Sequence, residues 1–291
     1  MRLRTESVVL NESRNVYLDA YIIEPTQSEP VGHITTAEVR PAIIICPGGG
    51  YMFHADRERL PAALPFLSEG YQAFVLSYSL GDLSEFPNPL VDLSMAVRWV
   101  RANAERLHIN GEKIATMGFS AGGHCTAMLA TQWHLDAWKT QELEDLAAFV
   151  QPELTDISNH PNAAILCYAT TDMRAFPDLE TRRSRDSGIG AISWQRVPES
   201  NPIDFVDGNT CPVFLWHTAE DVTVPAAQSI DFARKLLENE VPVELHLFER
   251  GEHGLSVGNR LTDFGTTASL PPAVPHWMTL AVRWLNDQFD Y

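Results

Sequence analysis

The sequence predicts an α/β fold with a mostly parallel sheet of about eight strands and helices on both faces. Continuous apolar runs such as AIIIC at 42–46 are typical of strands buried on both faces. These runs alternate along the chain with stretches whose apolar residues recur at helical spacing, beginning at 60–67. The alternation predicts parallel pairing, because a right-handed crossover helix returns the chain to the same edge of the sheet.

The elements follow in chain order. Two alternating segments at 6–11 and 16–25, separated by ESRN, predict a hairpin at the start. After the strand at 42–46, five apolar runs predict further strands, at 71–79, 113–119, 163–170, 212–219 and 242–248. Apolar residues at helical spacing predict the intervening helices: Leu60, Ala63, Leu64 and Leu67; Leu90, Leu93, Val97 and Val100; Ile230, Ala233 and Leu237 after Pro225; and Trp277, Leu280, Ala281, Trp284 and Leu285.

Two polar segments interrupt this alternation, at 132–162 and 171–210. Both leave the carboxyl ends of strands, which is the edge where open α/β sheets bind ligands. No internal repeat or low-complexity linker divides the chain. We therefore interpret residues 1–291 as one domain whose two excursions pass over the site.

The composition argues against several kinds of partner. Lysine and arginine number 21 against 38 aspartate and glutamate, which gives a formal net charge of −17. An acidic surface repels phosphate backbones and anionic lipid headgroups, so we expect a small-molecule substrate, neither nucleic acid nor a membrane, and leave self-association open. The opening residues lack a signal-peptide pattern and no apolar run is long enough to span a bilayer, which predicts a cytoplasmic protein.

The spacing of ligand-type residues predicts no metal and no cofactor. The sequence lacks H-E-x-x-H, G-x-G-x-x-G and the G-K-[ST] of a P-loop. No two cysteines have C-x-x-C spacing, so we expect reduced thiols beside the core. The cysteines are Cys46, Cys125, Cys167 and Cys211.

The motif G-x-S-x-G occurs twice, around Ser120 in GFSAG and around Ser256 in GLSVG. A reactive serine of this motif lies at a sharp turn between a strand and a helix, whose N-terminus faces developing negative charge. Ser120 follows a predicted strand and begins a predicted helix, whereas residues 254–258 have neither neighbour. The context favours Ser120 as the nucleophile and predicts a loop around Ser256.

A serine hydroxyl needs a base to take its proton. His253 follows the last predicted strand, between glycines in GEHG, and is the candidate base. Asp221 follows the preceding strand and is the candidate acid that would fix the imidazole tautomer, with Glu220 and Asp172 as alternatives. Three other histidines are expected to have packing or hydrogen-bonding roles: His124, His217 and His246.

The glycine loop PGGGY, after the strand at 42–46, supplies candidate donors to an oxyanion. Glycines allow the backbone to approach a substrate closely. The N–H groups of Gly49 and Gly50, with that of Ala121, would face the negative oxygen of a tetrahedral intermediate. Nucleophile, base, acid and donors are therefore all available in the sequence.

Several stretches between about residue 40 and 255 resemble, in order, the α/β-hydrolase superfamily: PGGGY, DRER, GYQAFVLSYSL, FPNPLVDLSMAVRWVRANA, GFSAGGH, FLWHTAEDVTVP and GEHG. They are most similar to its acetylesterase and acetylxylan-esterase-like branch, also termed xylanase-B-like or feruloyl-esterase-like. The resemblance implies a serine carboxylesterase that hydrolyses short-chain acyl esters, acetyl above all, through an acyl-enzyme. Ser120, Asp221 and His253 would be its catalytic triad, and carbohydrate esters are among the substrates it implies.

The same resemblance assigns further residues. It places Tyr51 in the acyl or alcohol pocket and gives the adjacent pair Arg57 and Glu58 a structural role. The chain departs from related lipases and esterases at Pro47, where those proteins often have histidine before the three glycines.

Two other functions are compatible with these residues. An amidase or peptidase uses the same triad, and SAGGH also resembles kynurenine formamidases. The fold also occurs in non-enzymatic binding proteins. A complete triad favours an enzyme over a binding protein, and the length leaves no room for the extra domain of many peptidases with this fold.

Overall fold

The computed structural model describes residues 2–25, 39–148, 152–175, 198–263 and 271–291. The strands within these ranges are β1 (Arg2–Asn11), β2 (Val16–Glu24), β3 (Arg40–Cys46), β4 (Gln72–Ser77), β5 (Ile109–Phe119), β6 (Ala163–Cys167), β7 (Val213–Thr218) and β8 (Val243–Phe248). The α-helices are α1 (Leu60–Ser68), α2 (Asn88–Ala102), α3 (Ala121–Gln132), α4 (Lys139–Ala148), α5 (Ala227–Glu238) and α6 (His276–Phe289). None of these helices has the length and apolar character that a membrane crossing requires.

The strands form one sheet in the order β1-β2-β4-β3-β5-β6-β7-β8. β2 pairs antiparallel with both β1 and β4, and every pairing from β4 to β8 is parallel. The mostly parallel sheet and the opening hairpin are therefore confirmed. Because β3, β5, β7 and β8 run in the same direction, their carboxyl ends lie on one edge of the sheet.

Both faces of the sheet are covered by helices, as predicted. In β3, Ile43 and Ile45 pack with α1 and α6, whereas Ile44 and Cys46 pack with α2 and α3. Successive side chains of a strand point to opposite faces, so this division follows from the period of two. The cysteines are all buried free thiols, which confirms that expectation.

The buried faces of two helices differ from the prediction. Four apolar residues expected in the core are 39% to 67% exposed: Leu60, Leu64, Ile230 and Leu237. In α1 the helix turns Phe66 and Leu67 inward, and in α5 it buries Phe232 and Leu236. In each helix the apolar residues form two overlapping stripes along the helix surface. The stripe that contains the phenylalanine, Phe66 in α1 and Phe232 in α5, faces the sheet because it buries more apolar area.

Buried ion pairs hold the excursion at 132–162 against α2. Arg98 of α2 binds Glu142 of α4 at 2.8 Å. Arg14, in the opening hairpin, binds both Asp92 of α2 at 2.6 Å and Asp145 of α4 at 2.7 Å.

Of the excursion at 171–210, residues 176–197 lie outside the described residues. Passage of either excursion over the site stays a prediction.

Gly122, on the first turn of α3, packs directly against the end of β3. A Cβ at this position would lie 2.1 Å from the carbonyl oxygen of Cys46 and 2.4 Å from that of Pro47. We expect Gly122→Ala to lower the free energy of unfolding by about 2 kcal/mol or more, since two backbone segments must separate. Urea unfolding measures this loss.

The matched control is Gly208→Ala, since a Cβ there would have no neighbour within 4 Å. Its unfolding midpoint should stay close to that of the wild type. Equal midpoints for the two variants would contradict the close packing of α3 on β3.

Candidate active site

Ser120 lies between β5 and α3, at a sharp turn. Its φ of 52° and ψ of −115° are unusual for a residue with a side chain and impose local strain. The turn requires glycine two residues before it, because a Cβ on Gly118 would lie 2.1 Å from the carbonyl oxygen of Gly122. The predicted strand, turn and helix around Ser120 are therefore present.

His253 connects Ser120 to Asp221 through two hydrogen bonds. Its Nδ1 is 2.6 Å from Asp221 Oδ2 and its Nε2 is 2.9 Å from Ser120 Oγ. A carboxylate only accepts hydrogen bonds, so Nδ1 carries the proton and Nε2 accepts the serine hydroxyl. This arrangement allows His253 to take the proton of Ser120.

The two alternative acids lie elsewhere. Glu220 accepts the N–H of Gly251 at 3.0 Å and so fixes the start of the loop that carries His253. Asp172 binds Arg174 at 2.8 Å. Of the three candidate carboxylates, Asp221 is the one that the structure brings to His253.

Four donors surround the Asp221 carboxylate. Oδ1 accepts the N–H groups of Thr223 and Val224, each at 2.9 Å, and Oδ2 faces His253 and His217. Burial alone would raise the pKa of Asp221, but hydrogen bonds from His217 and His253 outweigh it and the pKa lies below its usual value. The carboxylate therefore stays charged and can stabilise an imidazolium.

His217 is a contributor to the site that its position in the sequence did not reveal. It is fully buried at the end of β7, and its Nε2 lies 2.9 Å from the Val224 carbonyl and 3.3 Å from Asp221 Oδ2. Both of these oxygens only accept, so the Nε2–H is shared between them and Nδ1 accepts the hydroxyl of Ser229 at 2.8 Å. The predicted hydrogen-bonding role thus extends to holding Asp221.

The glycine loop lies beside Ser120. A Cβ on Gly48 would be 3.1 Å from Ser120 Cβ, and Gly49 has a φ of 129°. Within the described ranges, the N–H groups of Gly49 and Gly50 donate no hydrogen bond to the protein. Ala121 is the first residue of α3, where an N–H has no partner inside the helix. These three N–H groups therefore stay the candidate donors to an anion at Ser120.

Tyr51 is buried beside α3, and its place in an acyl or alcohol pocket stays a prediction. Its side chain is 2% exposed, and its hydroxyl lies 2.7 Å from His124 Nδ1. His124 Nε2 lies 2.7 Å from the Ser200 carbonyl, which only accepts, so Nδ1 accepts the Tyr51 hydroxyl. Burial lowers the pKa of His124 to about 4 and keeps the ring neutral. Tyr51 thus anchors the glycine loop to α3.

The second G-x-S-x-G sequence, GLSVG around Ser256, stabilises the loop that carries His253. Ser256 is fully buried in the predicted loop, and its hydroxyl donates to the Arg57 carbonyl at 2.7 Å. Trp277 Nε1–H donates to the Ser256 carbonyl at 3.0 Å. These bonds fix the loop that carries His253.

No cluster of three or more metal-ligand side chains occurs in the ranges that the structure describes.

Known proteins with similar sequences bear on the chemistry. An endo-1,4-beta-xylanase B from Butyrivibrio fibrisolvens is 36% identical over 229 residues, which are 76% of this chain and 33% of that protein. The chain spans between 33% and 48% of the length of three curated relatives that it matches.

Similar solved structures cover nearly the whole chain. MGS-M1, an α/β hydrolase enzyme from a Medee basin deep-sea metagenome library, is 32% identical with a TM-score of 0.78 and covers 99% of both chains. The carboxylesterase Cest-2923 from Lactobacillus plantarum is 28% identical with a TM-score of 0.81, covering 99% of this chain and 98% of the other. An acetyl ester-xyloside bifunctional hydrolase from Caldicellulosiruptor lactoaceticus is 28% identical with a TM-score of 0.74, covering 98% and 96%.

The BD-FAE family matches residues 33–236, which include the glycine loop, Ser120 and Asp221. TM-scores of 0.74 to 0.81 over nearly the whole chain show that it shares the fold of these structures. The chain therefore has the α/β-hydrolase fold and belongs to the BD-FAE family.

Proposed function

We propose that the chain is a serine carboxylesterase that hydrolyses short-chain esters, chiefly acetyl esters, through an acyl-enzyme. The observation that carries this proposal is the continuous line of hydrogen bonds from Ser120 through His253 to Asp221, beside available N–H groups of the glycine loop. Nucleophile, base and oxyanion donors are the parts that acyl transfer requires.

In the first half of the reaction, Ser120 Oγ attacks the carbonyl carbon of the ester while His253 Nε2 takes its proton. Asp221 stabilises the resulting imidazolium. The carbonyl oxygen becomes an oxyanion, for which the N–H groups of Gly49, Gly50 and Ala121 are the proposed donors. As the tetrahedral intermediate collapses, the bond to the alcohol oxygen breaks and the alcohol leaves with the proton from His253.

The second half repeats these steps with water. His253 takes a proton from a water molecule, whose oxygen attacks the acyl-serine carbonyl. The second tetrahedral intermediate releases the carboxylic acid, and the proton on His253 returns to Ser120 Oγ. The enzyme is restored, and one ester has become one acid and one alcohol.

Two observations support acetyl esters of carbohydrates as the substrate class. Among the similar proteins, one is named as an acetyl ester-xyloside hydrolase and another as a xylanase. Phe53 is 59% exposed, and its ring lies against Gly49, where a Cβ would be 3.2 Å from Phe53 Cδ2. An exposed aromatic side chain beside the proposed oxyanion site suits the apolar face of a sugar alcohol.

The test is a substrate panel with the purified wild-type chain. Nitrophenyl esters of increasing acyl length measure the acyl preference, acetylated xylo-oligosaccharides beside aryl acetates measure the alcohol preference, and aryl anilides measure amidase activity. We expect the highest kcat/KM with acetyl esters. Faster hydrolysis of anilides than of esters would favour the amidase alternative, and no turnover with no labelling of Ser120 by an organophosphonate would refute the proposal.

His217→Phe is expected to lower kcat for an aryl acetate about tenfold, because Asp221 loses one of its surrounding donors and gains freedom to move. Steady-state kinetics on the folded variant measures the effect. His246→Phe is the matched control, since His246 binds Glu244 at 2.7 Å on the edge strand β8 and has no contact with Asp221. Equal rates for the two variants would contradict the role of His217.

A further inference from the structure

Glu58 is a buried carboxylate that receives a donor from each of two loops at the site. It is 1% exposed, in a short helical turn at 56–58. Its Oε2 accepts the N–H of Gly48 at 2.7 Å, and its Oε1 accepts the hydroxyl of Tyr168 at 2.6 Å. Gly48 begins the glycine loop, and Tyr168 contacts the loop that carries His253.

The first contact fixes the glycine loop. A Cβ on Gly48 would lie 2.7 Å from Glu58 Oε2 and 3.1 Å from Ser120 Cβ, so this residue is enclosed between the two side chains. The Gly48 carbonyl also accepts the N–H of Ala55 at 3.0 Å. With both polar groups of Gly48 bonded, the direction in which the chain enters Gly49 is set.

The second contact fixes the histidine loop. The Tyr168 oxygen, which donates to Glu58, accepts the N–H of Ser256 at 3.0 Å. The Tyr168 ring also packs edge-on against the His253 ring, with centroids 5.0 Å apart and planes at 69°. Movement of Glu58 would therefore be transmitted through Tyr168 to the imidazole.

A carboxylate at this position is costly, which argues for a specific requirement. Burial raises the pKa of Glu58, whereas the hydrogen bond from Tyr168, the charge of Arg57, whose Nε lies 3.8 Å from Oε1, and the hydrogen bond from Gly48 favour the charged form. A carboxylate only accepts, so it can take both donors at once, whereas an amide offers one accepting oxygen and a donating NH₂ group. The two donors that converge on Glu58 thus match a carboxylate better than its neutral isostere.

We propose that Glu58 is a positioning residue that aligns the oxyanion donors and the general base together, through Gly48 on one side and Tyr168 on the other. This inference rests on the proposed ester hydrolysis at Ser120. Alignment of reacting groups contributes to turnover more than to ground-state binding, so loss of Glu58 should lower kcat and leave KM nearly unchanged.

The experiment uses Glu58→Gln, Tyr168→Phe and the double variant, with kcat and KM for an aryl acetate. Each single variant should lose about tenfold in kcat, equivalent to one charge-assisted hydrogen bond, with KM within about twofold of the wild type. Because both substitutions break the same hydrogen bond between Glu58 and Tyr168, the double variant should lose clearly less than the product of the two single losses.

Glu142→Gln is the matched control, since Glu142 is also 1% exposed but binds Arg98 and Ser94 in the α2–α4 network. It should lower the thermal midpoint and leave kcat of the folded protein near the wild-type value. Tyr168→Phe removes only a hydroxyl, so the test stands even where Glu58→Gln folds poorly.

Three results would overturn the inference: kcat within twofold of the wild type in both single variants, losses that multiply in the double variant, or an equal loss of kcat in Glu142→Gln. In each case an active wild type leaves the proposed esterase function standing. A wild type without turnover and without labelling at Ser120 overturns both.

Discussion

Ser120→Ala should lower hydrolysis of an aryl acetate by about 10⁴-fold or more, because the variant has no hydroxyl to form the acyl-enzyme. Its Tm should stay near that of the wild type, since only one side-chain oxygen is lost. Steady-state kinetics measures the rate. Organophosphonate labelling followed by mass spectrometry should locate the adduct on Ser120 in the wild type and find none in the variant.

The other motif serine provides the comparison. Ser256→Ala keeps the N–H that binds Tyr168 and loses the hydroxyl bond to the Arg57 carbonyl. Its activity should fall by less than about tenfold, and it should still be labelled at Ser120. An adduct on Ser256, or full activity in Ser120→Ala, would show that the nucleophile has been misassigned.

Asp221→Asn should lower kcat by about 10³- to 10⁴-fold while the protein remains folded. The new amide can donate its NH₂ to His253 Nδ1, which stabilises the tautomer whose Nε2 carries a proton and cannot act as a base. The negative charge that would stabilise an imidazolium is lost as well. Pre-steady-state release of nitrophenol should show that acylation is the slowed step.

The neighbouring carboxylate is the control for this variant. Glu220→Gln removes the charge but keeps an amide oxygen that can accept the Gly251 N–H, and it should cost less than about tenfold in kcat, because Glu220 does not touch His253. A larger loss in Glu220→Gln than in Asp221→Asn would reassign the acid.

The pH dependence of stability offers a second check on Asp221. Its pKa is lower in the folded protein than the ordinary value, so its contribution to stability is complete above the unfolded pKa of about 3.9 and is lost as the pH falls through the folded value. The stability difference between wild type and Asp221→Asn should therefore be constant from about pH 5 upward and shrink at lower pH. A difference that grows on acidification would contradict the depressed pKa.

Strands and the proposed nucleophile were predictable because strong local constraints mark them. β3 lies in the centre of the sheet between β4 and β5, and burial on both faces requires the uninterrupted AIIIC. Gly118 and Gly122 are required because a Cβ on either residue would lie 2.1 Å from a backbone carbonyl oxygen, so the glycines in the sequence indicate the turn at Ser120. Helix faces were less certain, since Leu64 and Phe66 suit either of two stripes and only packing against the sheet selects one.

Chain order and position after strands were enough to propose Ser120, His253 and Asp221, with Glu220 and Asp172 as alternative acids. Only the structure showed that Asp221 contacts His253, that Tyr51 lies against His124, and that Glu58 bonds Tyr168, which lies 110 residues away. A strand end or a tight turn depends on neighbouring residues, so local spacing can encode it. Contacts between distant side chains depend on how the loops pack above the sheet edge, and no local spacing in the sequence specifies that packing.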